Sequence, residues 1–386
     1  MQEICPREKC TGCAACYNVC PKNCIQMKEN EYGEVQPFIV EKECIDCGSC
    51  HRVCPNVDEK YKSLLNPKAE VCYAAARKDL QKQPRVASGG IATFLMEKAF
   101  QAGWKVFGTA LDQKMKIEVK ELKSLDELEM FQGSRYVQSN VGDSFKKIKE
   151  AVKQGKTLFI GTPCQVAGMR ALCGKNVENL YTCDLVCHGV NPQSYLWEEL
   201  EWKNKDKNNL TNITFRGVSS TEDYWLCLWK NGTKEYAAPR GKNEYLTGFY
   251  SGFSLRASCH TCNYPRKERV GDLTLGDFLG LEHETSLLKK NLCTLMIPNN
   301  TKGNDLMQFL DDSIVIEMHP AEEAFAGGIS FQKAFEWNET SRGFREVYKR
   351  DGYVVAMKKY GTPHVVRYKL GTIPRVLKRV EWISAV

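Results

Sequence analysis

Apolar and polar positions alternate most regularly between residues 71 and 205. Residues 71–76 (VCYAAA), 106–111, 116–122, 157–160 (TLFI) and 179–186 are short apolar or alternating runs that predict strands. Between them, residues 91–101, 139–154 and 165–172 repeat apolar positions at helical spacing, and Pro192 opens a further helix. Strand–helix alternation of this kind predicts an α/β domain with a largely parallel sheet. Beyond residue 205 the pattern loosens. Residues 225–229, 273–275 and 293–297 still read as strands and 305–310 as a helix. Ahead of the alternating region lies a different kind of sequence. Residues 36–40 (QPFIV) form one expected strand, and residues 18–26 and 52–57 read as short helical and turn pieces.

What sets that first region apart is cysteine. Cys10, Cys13, Cys16 and Cys20 follow the spacing C-x2-C-x2-C-x3-C with Pro21 next, and Cys44, Cys47, Cys50 and Cys54 repeat it with Pro55 next. This is the bacterial two-cluster ferredoxin spacing, in which the fourth cysteine of each run ligates the other cluster. One 4Fe–4S cluster is thus expected on Cys10, Cys13, Cys16 and Cys54, and a second on Cys44, Cys47, Cys50 and Cys20. Structural zinc more often uses two C-x2-C pairs set well apart, and a disulfide scaffold has no need of matched quartets with matched prolines. The expected fold is an α+β ferredoxin-like two-cluster N-terminal domain followed by a larger α/β domain. Residues 1–58 form the first, 59–70 a polar linker, 71–340 the second, and 341–386 a basic tail.

Composition narrows the class. The chain has 386 residues, 42% of them hydrophobic, and 19 cysteines, which suits a reducing compartment where thiolates remain available to iron. The cysteine motif begins almost at Met1 and no apolar run is long enough to span a bilayer, so a cytoplasmic location is expected. The net charge is +7, and residues 342–386 hold eleven Lys or Arg against three Asp or Glu. Arg375, Lys378 and Arg379 alternate with Val376, Leu377, Val380, Trp382 and Ile383. A short amphipathic helix there could pack on its own domain or make peripheral contact with an anionic membrane. No nucleic-acid-binding pattern is present, and no nucleic-acid partner is expected.

Four further cysteines stand out. Cys164 and Cys187 each follow an expected strand, and Cys259 and Cys262 form a C-x2-C pair. Ligands in open α/β sheets bind at the carboxyl ends of strands, so these four could hold a third 4Fe–4S cluster. A C-x2-C pair can equally hold zinc or be redox active, and buried cysteines are often plain core residues. Ser88-Gly89-Gly90, Gly133-Ser134-Arg135-Tyr136-Val137-Gln138-Ser139, Gly161-Thr162-Pro163-Cys164-Gln165, Cys259-x2-Cys262, Gly271-Asp272 and Gly276-Asp277-Phe278 occur in that order. The series resembles the beta-subunit family of coenzyme F420 hydrogenases and dehydrogenases over roughly residues 70–300. The resemblance implies FAD close to a 4Fe–4S cluster, and Cys164, Cys187, Cys259 and Cys262 as that cluster's ligands, with Cys183 a rival for Cys187.

No G-x-G-x-x-G follows a strand, so an ordinary dinucleotide fingerprint is missing. Ser88, Gly89 and Gly90 before a helix could offer amides to a pyrophosphate, or could simply cap the helix. Gly133, Ser134, Arg135 and Tyr136 could hold phosphate or ribose, and Thr162 and Gln165 a flavin edge. His188 is a possible proton donor, or a turn histidine. Asp272 and Asp277 could orient ligands or cap turns. The expected activity is that of an iron–sulfur flavoprotein oxidoreductase. It would pass electrons between a two-electron carrier or small organic substrate and one-electron clusters. The alternative is a non-catalytic ferredoxin-type electron-transfer subunit docked on a partner oxidoreductase.

Overall fold

The computed structural model describes residues 3–79, 86–216, 224–285, 288–289 and 292–371. The first cysteine run wraps into helix α1 (Ala15–Val19), and a hairpin of β1 (Ile25–Glu29) and β2 (Val35–Ile39) follows. The second run wraps into α2 (Ser49–Val53). Each helix starts from a left-handed residue, Ala14 or Gly48, which turns the chain back over its own cysteines. Part of the stretch expected to be turn and helix, residues 18–26, instead enters β1. Its partner β2 supplies the ladder that makes a strand there, a pairing that local spacing does not reveal.

The larger unit is built on eight strands among the described residues: β3 (Val71–Arg77), β4 (Lys105–Leu111), β5 (Ile117–Leu122), β6 (Thr157–Gly161), β7 (Leu180–Leu185), and then, after a separate small sheet of β8 (Asn212–Thr214), β9 (Trp225–Lys230) and β10 (Thr233–Pro239), β11 (Leu273–Asp277), β12 (Thr294–Pro298) and β13 (Ile314–Pro320). Their order is β13-β3-β12-β11-β7-β6-β4-β5. Pairing is parallel from β4 through β6 and β7 to β11, and antiparallel elsewhere. The sheet is therefore mixed rather than largely parallel. A five-residue turn from β4 to β5 is too short for a crossover and forces a hairpin.

Helices cover the sheet: α3 (Ile91–Gln101), α4 (Ser144–Gln154), α5 (Pro163–Cys173), α6 (Gln193–Trp202), α7 (Glu244–Ser251), α8 (Ala257–His260), α9 (Thr301–Met307), α10 (Ala321–Gly327) and, past residue 338, α11 (Glu339–Asp351), α12 (Tyr353–Tyr360) and α13 (Thr362–Gly371). α4 and α5 bury Phe145, Ile148, Val166 and Met169 in one core with Cys10, Cys13, Cys16 and Cys54. The cluster module thus shares its hydrophobic core with the sheet domain.

Two expected boundaries are packed structure. Within 59–70, Tyr61 and Leu64 are buried, and Asn66 Nδ2 donates to the carbonyls of Arg269 (3.0 Å) and Gly271 (2.8 Å). The polar composition there is absorbed by hydrogen bonds rather than by solvent. The basic C-terminal region begins inside α11, which buries Phe344 and Val347 together with Arg345, paired to Glu34, while Lys349 and Arg350 stay outside. The amphipathic stretch 375–383 lies outside the described residues. Among the described residues no helix is long and apolar enough to cross a membrane.

Candidate iron–sulfur sites and the cavity beside them

Three groups of cysteines each surround a cavity. Cys10, Cys13, Cys16 and Cys54 ring one of about 20 Å³. Cys20, Cys44, Cys47 and Cys50 ring another of about 20 Å³. The grouping is the crossed one that the repeat predicts, with Cys16 and Cys20 at opposite ends of α1 serving different rings. Amides point at the thiols. Gly12 N–H reaches Cys10, Ala15 reaches Cys13 and Tyr17 reaches Cys16. In the second ring, Ser49 N–H reaches Cys47 and His51 N–H reaches Cys50. Such donors suit thiolates that carry the negative charge of a cluster. Among the described residues no three His, Cys, Asp or Glu side chains are grouped to hold a single metal ion. The thiols instead surround the cavities as groups of four.

Two cysteines with no role in the spacing join these rings. Cys5 lies in hydrogen-bond reach of Cys10 and Cys54, and Cys24 Sγ is 3.4 Å from Cys20 Sγ. Their isolation in sequence gives no sign of this.

The third group lines a cavity of about 460 Å³ with Cys164, Cys187, Cys259 and Cys262 on its wall. β6 ends at Gly161, and Thr162 caps α5 by a reciprocal box with Gln165, which places Cys164 in the first turn. There the positive end of the helix favours a thiolate. Thr162 Oγ1 is 3.3 Å from Cys164 Sγ. Gly189, Val190 and Tyr264 direct backbone N–H groups at Cys187, Cys259 and Cys262. Burial pushes all four thiols up, Cys187 and Cys262 to about 12. Closing such a set around a positively charged centre would release protons. Cys183 is fully buried inside β7, in the core between sheet and α3, and does not line this cavity.

α5 ties the rings together. One turn beyond Cys164, a Cβ on Gly168 would come within 2.9 Å of Cys13 Sγ, so only glycine lets the ferredoxin module approach this closely. Arg256 is fully buried on the other side. It donates to the Cys10 carbonyl (2.6 Å), to Ser258 Oγ (3.0 Å) and to Gln138 Oε1 while facing the large cavity. Arg269, paired with the buried Asp184 at 3.3 Å, donates to the carbonyls of Tyr264 and Leu185. Asp272 accepts from Thr182 N–H and Oγ1, so it holds β7 to β11. Arg256 lies three residues before Cys259, a signal the sequence contained but did not explain.

The other expected site residues divide. His188 lines the large cavity, and its Nε2 lies 3.1 Å from the Phe249 carbonyl. Burial lowers it to about 4, so it is neutral at pH 7. Its ring meets Phe335 at 4.6 Å, and His260 stacks on Trp337 at 4.0 Å. These contacts make residues 329–338 one wall of the cavity, which the sequence did not suggest. Thr162 lines the cavity too, but Gln165 Nε2 turns to Ser139 Oγ (3.0 Å).

Ser88 and Tyr136 meet elsewhere, at the carboxyl end of β11. Ser88 Oγ donates to Asp277, Arg216 pairs with Asp277, and Arg216 Nε donates to Tyr136 Oη at 3.1 Å. The Tyr136 ring stacks on Phe249 (4.9 Å, 20°), the residue that carries His188. Gly90 starts α3 in a left-handed conformation with no side-chain cap. Gly89 packs with no room for a Cβ against the Ala75 carbonyl. Gly133 and Ser134 lie in the loop ahead of α4, and Arg135 turns inward to the carbonyls of Met130 and Ile213.

Two family models match this architecture. Residues 154–324 match the C terminus of the coenzyme F420 hydrogenase/dehydrogenase beta subunit. Residues 9–57 match the 4Fe-4S dicluster domain. The resemblance read from the motifs is borne out: this is an iron–sulfur electron-transfer protein related to the F420 hydrogenase/dehydrogenase beta subunits. Among curated proteins none matches the chain. Among solved structures, the F420-reducing NiFe hydrogenase complex from Methanosarcina barkeri, a xenon derivative, aligns at 17% identity and a TM-score of 0.46, covering 77% of this chain and 92% of that one.

Proposed function

We propose that this chain is an oxidoreductase that passes electrons between a two-electron partner at the large cavity and three 4Fe–4S clusters arranged in a line. The observation that carries the reading is the set of three four-cysteine rings, joined through α5 and α1. Cys164, Cys187, Cys259 and Cys262 would hold the innermost cluster, Cys10, Cys13, Cys16 and Cys54 the middle one, and Cys20, Cys44, Cys47 and Cys50 the outermost. Cys47 is exposed and Cys44 and Cys50 are half-buried, which makes the outermost ring, of Cys20, Cys44, Cys47 and Cys50, the port for an external redox carrier or partner subunit.

FAD is the finer part of this proposal. When bound, it supplies the exchange between electron pairs and single electrons. At the start of α3, Ser88 Oγ donates to Asp277, Gly89 N–H to Thr294 Oγ1 and Gly90 N–H to the Ala87 carbonyl, so these donors are already taken and support for FAD comes from the large cavity. A cavity of about 460 Å³ leaves space beyond a cube, whereas each ferredoxin ring encloses about 20 Å³. His188, neutral and tied to Phe249, would serve as a fixed aromatic wall and not as a cationic acid. Arg256 and Arg269 would keep the site rigid and bring positive charge towards the thiolates.

The test is to purify the chain without oxygen, quantify bound flavin, and add reduced deazaflavin or nicotinamide carriers while following cluster absorbance. Stoichiometric flavin with carrier-driven cluster reduction is the expected result. A flavin-free chain that only a protein donor reduces would replace the enzyme with a ferredoxin-type transfer subunit.

A further inference from the structure

Tyr264 sits between two of the cysteine rings. It is buried at 4% exposure, in the core that contains Cys13 and Cys54 and packs against Cys164 and Cys262. Its main chain is fixed on both sides: the N–H points at Cys262, and the carbonyl accepts from Arg269 Nη1 at 3.0 Å. The ring meets Tyr61 edge-on at 6.1 Å. Among the described residues its hydroxyl has no hydrogen-bond partner. A buried hydroxyl left unpaired is costly, and Phe would fill the same space without that cost. Among the described residues, the oxygen therefore still needs a partner.

The groups around it narrow the choice. The ring shares a core with Cys13 and Cys54 and packs beside Cys164 and Cys262, all of them proposed cluster ligands. Tyr264 lines the large cavity but not the small one ringed by Cys10, Cys13, Cys16 and Cys54. Building on the proposed function, we infer that Tyr264 donates its O–H to a sulfur of the cluster held by Cys164, Cys187, Cys259 and Cys262. Tyr264 is thus a positioning residue that raises the reduction potential of that cluster. A hydrogen bond to cluster sulfur stabilises the reduced, more negative state, and the potential rises with it. The bond would make the innermost cluster a better acceptor on the cavity side. It would also set the step in potential between that cluster and the middle one.

Tyr264→Phe in the full chain, reconstituted without oxygen, separates the possibilities. Iron content should match that of the wild type. One midpoint potential should fall by an amount equivalent to roughly tenfold in the reduction equilibrium, about 59 mV for a one-electron couple. After exchange into D2O, pulsed paramagnetic resonance of the wild type should show one exchangeable proton on that cluster that the variant lacks. The metal-free variant should melt no earlier than the metal-free wild type, since the hydroxyl is unpaired there. Full iron with no change in any potential would overturn the inference. So would a shift confined to the cluster that Cys16→Ser removes. A wild-type chain with about eight iron atoms would instead overturn the three-cluster reading, and the hydrogen bond with it.

Discussion

Cys10, Cys13, Cys16 and Cys54 are all buried, whereas in the other ferredoxin ring only Cys20 is, and Cys47 is exposed beside Ile45, itself 56% exposed. The two rings come from runs with the same spacing, so the difference is made by what the second domain covers. Its contacts gather on the first ring. Arg256 bonds the Cys10 carbonyl, and Asn18 Nδ2 donates to the Gly142 carbonyl at 2.9 Å. Glu34, in the hairpin, takes Arg345 of α11 and the Ala257 N–H. A symmetric two-cluster module has thereby acquired an inside and an outside. Identical ligand spacing fixes the cluster type, while burial and neighbouring donors set potential and access.

The largest test of that asymmetry compares Cys16→Ser with Cys47→Ser. Each should lose about four iron atoms. Cys16→Ser should also loosen the core shared with α4 and α5, at a cost on the order of 3 kcal/mol or more. Cys47→Ser should melt close to the wild type. Equal thermal losses in a calorimeter would mean that the two rings are not differently embedded.

A smaller effect is expected at the anchor. Burial acts to raise Glu34, but Arg256 and then Arg345 outweigh it, and the carboxyl is held below its usual 4.5. Its contribution is therefore present at neutral pH and fades as the pH falls through that lowered value. Glu34→Ala leaves Arg345 without its buried partner and should cost about 3 kcal/mol at pH 7. The gap from wild type should narrow in acid, and denaturant unfolding at the two pH values measures it. A gap independent of pH would show that the ion pair does not hold the module.

Much of this arrangement was legible from residue order alone. The cysteine spacing anticipated both ferredoxin rings, including the exchange of Cys20 and Cys54, because a short loop forces its fourth ligand outward. Helical period located α3, and the buried strands β6 and β7 correctly placed Cys164 and Cys187 at strand ends. What stayed hidden depends on distant contacts. Nothing near Arg256 announces that it will reach Cys10, 246 residues away in sequence. Cys5, Tyr264 and the 329–338 wall acquire meaning only once three separate segments converge. The parallel bias of the alternating region failed at the sheet's margins, where a short turn into β5 and the return through β12 reverse direction.

A third cluster site standing apart from the ferredoxin pair is the central claim. Iron counted per chain after reconstitution without oxygen, in the wild type and in a Cys259→Ala/Cys262→Ala double variant, tests this most directly. About twelve atoms falling to about eight, with the paramagnetic signals of the ferredoxin pair retained, is the predicted result. The same iron content in both chains would contradict it.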